Sequence, residues 1–179
     1  MPNISRRRFL ITAAQAAAGL LVCPPLTGWA REPGKVPLTF FHTHTEECLR
    51  ILHTPGRCSN SIQKKIKTFL RDFRTGDVHP IDPKLLDLLC KIQSVTGSRG
   101  TIEIISGYRS PQTNNRLRHN SSGVASKSLH MKGQAVDIRI TDLPTWKLRN
   151  TAADLRAGGV GYYAKSDFVH LDTGRFRIW

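Results

Sequence analysis

Residues 128–138 read SLHMKGQAVDI and residues 168–172 read FVHLD. Each stretch sets one histidine near one aspartate: His130 with Asp137, and His170 with Asp172. Imidazole nitrogen and carboxylate oxygen suit a borderline divalent cation. Two histidines and one carboxylate, with a fourth position left open for water, make a catalytic zinc set. Asp137 lies mid-strand in QAVDIRI, where an aspartate is disfavoured and needs a partner. Val136, Ile138 and Ile140 take one strand face, so Ala135, Asp137 and Arg139 take the other. His130 precedes Gly133, where a turn can bring the imidazole back toward the carboxylate. His170 and Asp172 share a strand face, with Val169 and Leu171 packing inward. Spacing alone leaves a second reading open, in which both histidines are hydrogen-bonded loop and strand residues, because His-x6-Asp recurs by chance.

The surrounding elements must hold these side chains. PLTFF (37–41) and ECLRIL (47–52) read as a hairpin around HTHTE, closed off by the turn residues of TPGRC. Residues 59–74 predict a helix, with Ile62, Ile66, Phe69, Leu70 and Phe73 on one face and lysines and arginines on the other. Asp82-Pro83 starts a second helix as N-cap and first residue. Leu85, Leu86, Leu88, Leu89, Ile92 and Val95 make it heavily buried, and Gly97 ends it. TIEIIS (101–106) is a β-branched strand, after which Ser110-Pro111 opens a polar helix. Residues 134–140 are a strand. Asp142 and Pro144 begin a helix to about Ala157, and VGYY and FVHLD form a last hairpin. Helices grouped against a mainly antiparallel sheet give a single α+β domain.

The bulk properties set the compartment. SRRRFL (5–10) followed by ITAAQAAAGLLV (11–22) is a basic head and a short apolar run, too short for a membrane span, and reads as an export signal. Arg6-Arg7 resembles the twin-arginine signal of bacteria. Small residues Gly28 and Ala30 place cleavage before Arg31, so 1–30 is signal and 31–179 the mature domain, in the periplasm. Removing the signal with its three arginines takes the net charge from +14 to +11. Outside the cytoplasm nucleic acid is excluded as the partner; cell-wall polymer and, weakly, an anionic membrane surface take its place. Cys48, Cys58 and Cys90 remain. An odd number excludes a full disulfide framework, Cys48–Cys58 is the candidate pair, and Cys90 in LLDLLCKI reads as a small buried residue.

Three ordered motifs carry a resemblance. Ser128-x-His130-x-x-Gly133-x-Ala135-x-Asp137 matches the signature of the D-Ala-D-Ala-type zinc metallopeptidases, relatives of lysostaphin-type peptidases and of the hedgehog domain. Ser106-Gly107-Tyr108-Arg109-Ser110 is similar to their upstream segment, and GGVGYY…FVHLDTG to the downstream one. The chain looks most like the twin-arginine-exported murein endopeptidase branch. This resemblance implies that His130, Asp137 and His170 hold zinc, and that Arg109 binds a substrate carboxylate or the developing oxyanion. It also implies a general base. Many relatives carry Glu-x-x-His; here that position is Asp167. Asp172 is the other candidate, either as base or as the acceptor that orients His170.

The implied function is hydrolysis of cross-linked peptidoglycan stem peptides, with the twin-arginine machinery as export partner. Two alternatives stand beside it: a D-alanyl carboxypeptidase, and a wall-binding module with a vestigial metal site. His42, His44 and Glu46 alternate along HTHTE and could read as a second metal site; the plainer reading is a solvated hairpin face. Arg116, Arg118 and Lys127 are expected to flank the cleft.

Overall fold

The computed structural model describes residues 33–120 and 123–179, so the export signal lies outside the described residues. Strands β1 (Val36–His42) and β2 (Cys48–His53) form the first hairpin. Helices α1 (Asn60–Phe69) and α2 (Pro83–Thr96) follow. Then come β3 (Ile102–Ser106), α3 (Pro111–Asn120), β4 (Ala135–Ile140), α4 (Thr145–Leu155), β5 (Gly159–Tyr163), β6 (Phe168–Asp172) and β7 (Arg177–Ile178). One seven-stranded sheet runs in the order β2-β1-β3-β4-β6-β5-β7. Only the β1–β3 and β5–β7 pairs are parallel; the rest are antiparallel. The α+β reading holds.

Alternation builds the two faces of this sheet. Val136, Ile138, Val169 and Leu171 are all buried and join the core, into which Leu85, Leu89, Ile92, Leu148 and Ala152 also pack. α4 packs on β4, β5 and β6, and α2 packs on α4. Truncating a fully buried residue such as Leu171 to alanine costs roughly 2–5 kcal/mol. The residues between these apolar ones, Asp137, His170 and Asp172, necessarily leave on the opposite face.

Helix caps follow the sequence at two places. The Ser59 hydroxyl accepts from the Ile62 amide, and Asp82 accepts from the Lys84 amide with Pro83 at the first turn. Elsewhere tertiary contacts override local signals. α1 stops at Phe69 rather than residue 74, and Asp72 supplies the reason. Its carboxylate is buried and accepts from the Arg74 amide, the Ser110 amide and the Ser110 hydroxyl, which bends the chain away from the helix. Phe73, expected on the helix face, instead stacks on His44. Asp142 does not cap α4; it accepts from the Ser98 hydroxyl and the Arg99 amide, tying the loop between α2 and β3 to the end of β4. Val95 is exposed rather than buried. Cys58 is a free thiol, so the Cys48–Cys58 bridge is not made; Cys90 is buried as expected.

Candidate metal centre

Register across the sheet brings distant sequence together. Ser106 on β3 pairs with Asp137 on β4, Asp137 with His170 on β6, and Ala135 with Asp172. Asp137 and His170 therefore sit side by side although they are far apart in sequence. His130 arrives from a 3-10 turn, Leu129–Lys132, that ends at Gly133. Gly133 has φ 62°, and a Cβ there would lie 2.0 Å from the Pro80 carbonyl oxygen. Only glycine satisfies both the left-handed backbone and that close approach. The Gly133 carbonyl in turn accepts from the Asp82 amide, and the Arg109 amide donates to the His130 carbonyl, so the turn is pinned on two sides.

Three ligand atoms converge. His130 Nε2 lies 3.2 Å from Asp137 Oδ1 and 3.2 Å from His170 Nδ1, and His170 Nδ1 lies 2.8 Å from Asp137 Oδ1. All three residues are buried, with exposures of 3%, 7% and 9% for His130, Asp137 and His170. Among the described residues this is the one group of three that could hold a metal ion.

The partners on the far sides of the rings fix which nitrogen is free. His130 Nδ1 faces the Gly107 carbonyl oxygen at 2.7 Å, and a carbonyl only accepts, so Nδ1 carries the hydrogen. His170 Nε2 faces Asp172 Oδ2 at 3.0 Å, so it too carries the hydrogen. With both rings neutral, His130 Nε2, His170 Nδ1 and Asp137 Oδ1 point three lone pairs at one another. Such an arrangement repels unless a cation sits among them. Ligand atoms of a tetrahedral zinc ion stand roughly 3.3 Å apart, given bonds of about 2.0–2.1 Å. The donor set and its spacing fit that ion.

Electrostatics agree. Burial raises the Asp137 carboxyl pKa, but the charges and hydrogen bonds of His130 and His170 outweigh this and hold it well below the usual carboxylate range. Burial lowers the His170 imidazole pKa, yet its bonds to Asp137 and Asp172 bring it above its ordinary value. Without a metal a proton takes the metal's place, and the two compete.

Asp172 is fully buried, and donors fill its oxygens. Oδ2 accepts from His170 and from Arg177 at 2.7 Å, while Oδ1 accepts from Arg177 and from the amides of Gly159 and Gly174. Burial pushes its carboxyl up, and these bonds hold it well below the ordinary range. The structure thus places Asp172 as the partner of His170, with no lone pair turned to the cavity. Asp167 is elsewhere. Its backbone is left-handed, it accepts from the Thr145 hydroxyl, and it lines a separate cavity of about 610 Å³ with Glu103, Arg139 and Asp142.

The candidate metal centre opens onto a cavity of about 450 Å³, lined among others by Arg109, Lys127, Tyr163, Arg177 and Trp179. Arg109 is mostly buried; its guanidinium lies 3.8 Å from Asp137 and its Nε has no hydrogen-bond partner. Burial lowers its pKa, opposed by the nearby Asp137 charge. A buried, under-used guanidinium at a cavity wall is a ready site for a substrate oxygen anion. Lys127 lines the cavity as expected, whereas Arg116 and Arg118 do not. The solvated HTHTE face holds for His44 and Glu46, which are exposed, but not for His42, which is fully buried and packed edge-on against Phe69 and Phe73. Sequence reading missed Arg177, Tyr163 and Trp179. A buried Asp172 beside a metal ligand demanded a cation, which was the available signal for Arg177.

The sequence profile of the peptidoglycan L,D-endopeptidase MepK family matches residues 30–179. The chain belongs to this family. It is 41% identical over 179 residues to the peptidoglycan L,D-endopeptidase MepK of Escherichia coli strain K12, covering 98% of this chain and 97% of that protein. It is 47% identical over 176 residues to the probable peptidoglycan L,D-endopeptidase MepK of Haemophilus influenzae, covering 97% and 95%. No solved structure matches the chain. The family match spans both the turn that carries His130 and the β4–β6 pair that carries Asp137 and His170.

Proposed function

We propose that the chain is a zinc-dependent peptidoglycan endopeptidase that acts in the periplasm on cross-linked stem peptides. The observation that carries the chemistry is the convergence of three lone pairs, from His130, Asp137 and His170, at the floor of a cavity with cationic walls. The names of the relatives support an endopeptidase over a terminal D-alanyl carboxypeptidase or a wall-binding module. In this reading residues 1–30 are a twin-arginine export signal and residues 31–179 the working domain. The start of the family match at residue 30 supports that boundary.

A zinc ion in such a site polarises a peptide carbonyl and acidifies water. The chain's own residues do the remaining work. The Gly107 carbonyl and Asp172 hold the His130 and His170 rings in the tautomers that turn Nε2 and Nδ1 inward. Arg177 and the Gly159 and Gly174 amides keep Asp172 charged, so it orients His170 rather than taking a proton itself. Arg109 binds the carbonyl oxygen as charge develops on it, or a neighbouring substrate carboxylate. Asp167, open to a different cavity, takes no part in proton transfer. The net charge of the mature domain, +14 less the three signal arginines, or +11, draws it to the anionic wall and, weakly, to anionic membrane surfaces.

The test is digestion of purified cross-linked muropeptides with and without a chelator, read by mass spectrometry, alongside metal analysis. Cleavage of the cross-link that chelation stops and zinc restores is the expected result. Release of terminal D-alanine alone would identify a carboxypeptidase instead.

A further inference from the structure

Trp179 follows β7 and is held to β5 by its backbone. Its amide donates to the Val160 carbonyl at 3.2 Å, and its carbonyl accepts from the Tyr162 amide at 3.0 Å. The indole then turns over the metal centre, with its ring 5.2 Å from that of His170. It reaches there because Gly161, opposite His170 in the β5–β6 register, has no side chain. A Cβ at Gly161 would stand 2.6 Å from the indole Cε2. The glycine of GVGYY is thus needed for the indole to lie against His170.

The indole N–H is a donor only, and it donates to the Tyr163 hydroxyl oxygen at 3.1 Å. The Tyr163 ring is also stacked on Phe168, with centroids 4.5 Å apart and planes at 15°. Two contacts therefore fix the phenol where it lines the cavity. Trp179 occupies one oxygen lone pair, and among the described residues the phenol proton has no acceptor. Tyr163 and Arg109 line the same cavity. Arg109, Lys127 and Tyr163 on this wall are set to donate, while Arg177 already donates to Asp172. The acceptor they await is an oxygen of the substrate, and in a peptide under attack the carbonyl oxygen is the one that gains charge.

We propose that Tyr163 donates a hydrogen bond to the scissile carbonyl oxygen of the substrate, and that Trp179 positions Tyr163 for this by donating its indole N–H to the phenol oxygen. The proposal rests on the endopeptidase reading above. No proton is transferred; the bond strengthens as the oxygen becomes negative. Tyr163 is then a catalytic residue and Trp179 a positioning residue.

The test compares zinc-loaded mature protein with Tyr163→Phe, Trp179→Phe and the double variant on purified cross-linked muropeptides, with zinc content and melting temperature measured for each. Tyr163→Phe is expected to lower kcat about a hundredfold with KM little changed. Trp179→Phe keeps an aromatic wall and loses only the N–H; it is expected to lower kcat about tenfold alone and not further when Tyr163 is already phenylalanine. Retained zinc and melting temperature complete the expected result. A Tyr163→Phe kcat within about twofold of the parent, equal costs of Trp179→Phe in both backgrounds, or zinc lost from Tyr163→Phe would each overturn the proposal. A parent that does not cleave overturns the endopeptidase reading instead. The contact is then read from binding to chelated protein by tryptophan emission. A muropeptide-induced change that vanishes in Trp179→Phe, with weaker binding in Tyr163→Phe, supports the contact, and its absence overturns it.

Discussion

Two pairs of histidines in this molecule invite the same reading and have opposite fates. His42 and His44 stand two apart on the first hairpin; His130 and His170 come from separate elements. His42, His130 and His170 are buried, whereas His44 is exposed. At the hairpin the surroundings are rings: His42 sits edge-on to Phe69 and Phe73, and His44 stacks on Phe73 at 4.1 Å. His42 Nδ1 accepts from the His44 amide, and its Nε2 has no partner among the described residues. Burial, helped by His44, lowers the His42 pKa to about 4. At the metal centre each ring has an acceptor on its far side and a shared carboxylate on its near side. Close histidines alone do not make a metal site. A carboxylate facing the free nitrogens, and acceptors that fix which nitrogens are free, distinguish the second pair from the first.

The sharpest break in that comparison is a ligand exchange. His130→Ala should lose stoichiometric zinc and lower turnover by about three orders of magnitude or more, whereas His42→Phe should keep one zinc per chain; metal analysis beside muropeptide digestion reads both. Equal zinc loss in the two variants would erase the distinction. Asp172→Asn probes the outer acceptor. It should weaken zinc affinity or activity roughly 10- to 100-fold, while Asp167→Asn stays within about twofold of the parent; a chelator competition titration and initial rates separate them. The reverse order would return the proton-taking role to Asp167. A smaller effect is expected in the scaffold, where Ser59→Ala should cost about 1 kcal/mol in urea unfolding without changing zinc content.

The pH response isolates the hairpin. A buried His42 that resists protonation until about pH 4 leaves the unfolded chain binding the extra proton below its ordinary value of 6.5. Stability from this group is therefore present above that value and is lost as pH falls from about 6.5 to about 4. The parent's unfolding midpoint should drop more than that of His42→Phe over this interval. Parallel curves would remove His42 as the source.

Much of the fold was legible because its signals are local. Alternation in QAVDIRI and FVHLD separated core from site, and Asp82-Pro83 and Gly97 bounded α2 through caps that the chain makes with itself. What failed was decided by remote partners. Residue 73 left its expected helix because Asp72 binds Ser110, 38 residues away, and Asp142 abandoned a cap for Ser98. β7 was missed because a two-residue strand has too little pattern to read.

The site divides along the same line. Residue types, spacing and the S-x-H-x-x-G-x-A-x-D motif single out His130, Asp137 and His170, the group the structure brings together as a candidate metal site; alternation dictates the strand side of Asp137 and His170, and the Gly133 turn delivers His130. Sequence could not choose between two tasks for Asp172, or between Asp172 and Asp167. That choice depends on which donors meet each carboxylate. Arg177 and the Gly159 and Gly174 amides reach Asp172 only after β5, β6 and β7 have paired, and Asp167 turns to another cavity only once the 3-10 turn Ala164–Ser166 before β6 is formed. A side chain's type limits what it can do, but its hydrogen-bond partners decide what it does, and those partners are supplied by the tertiary structure.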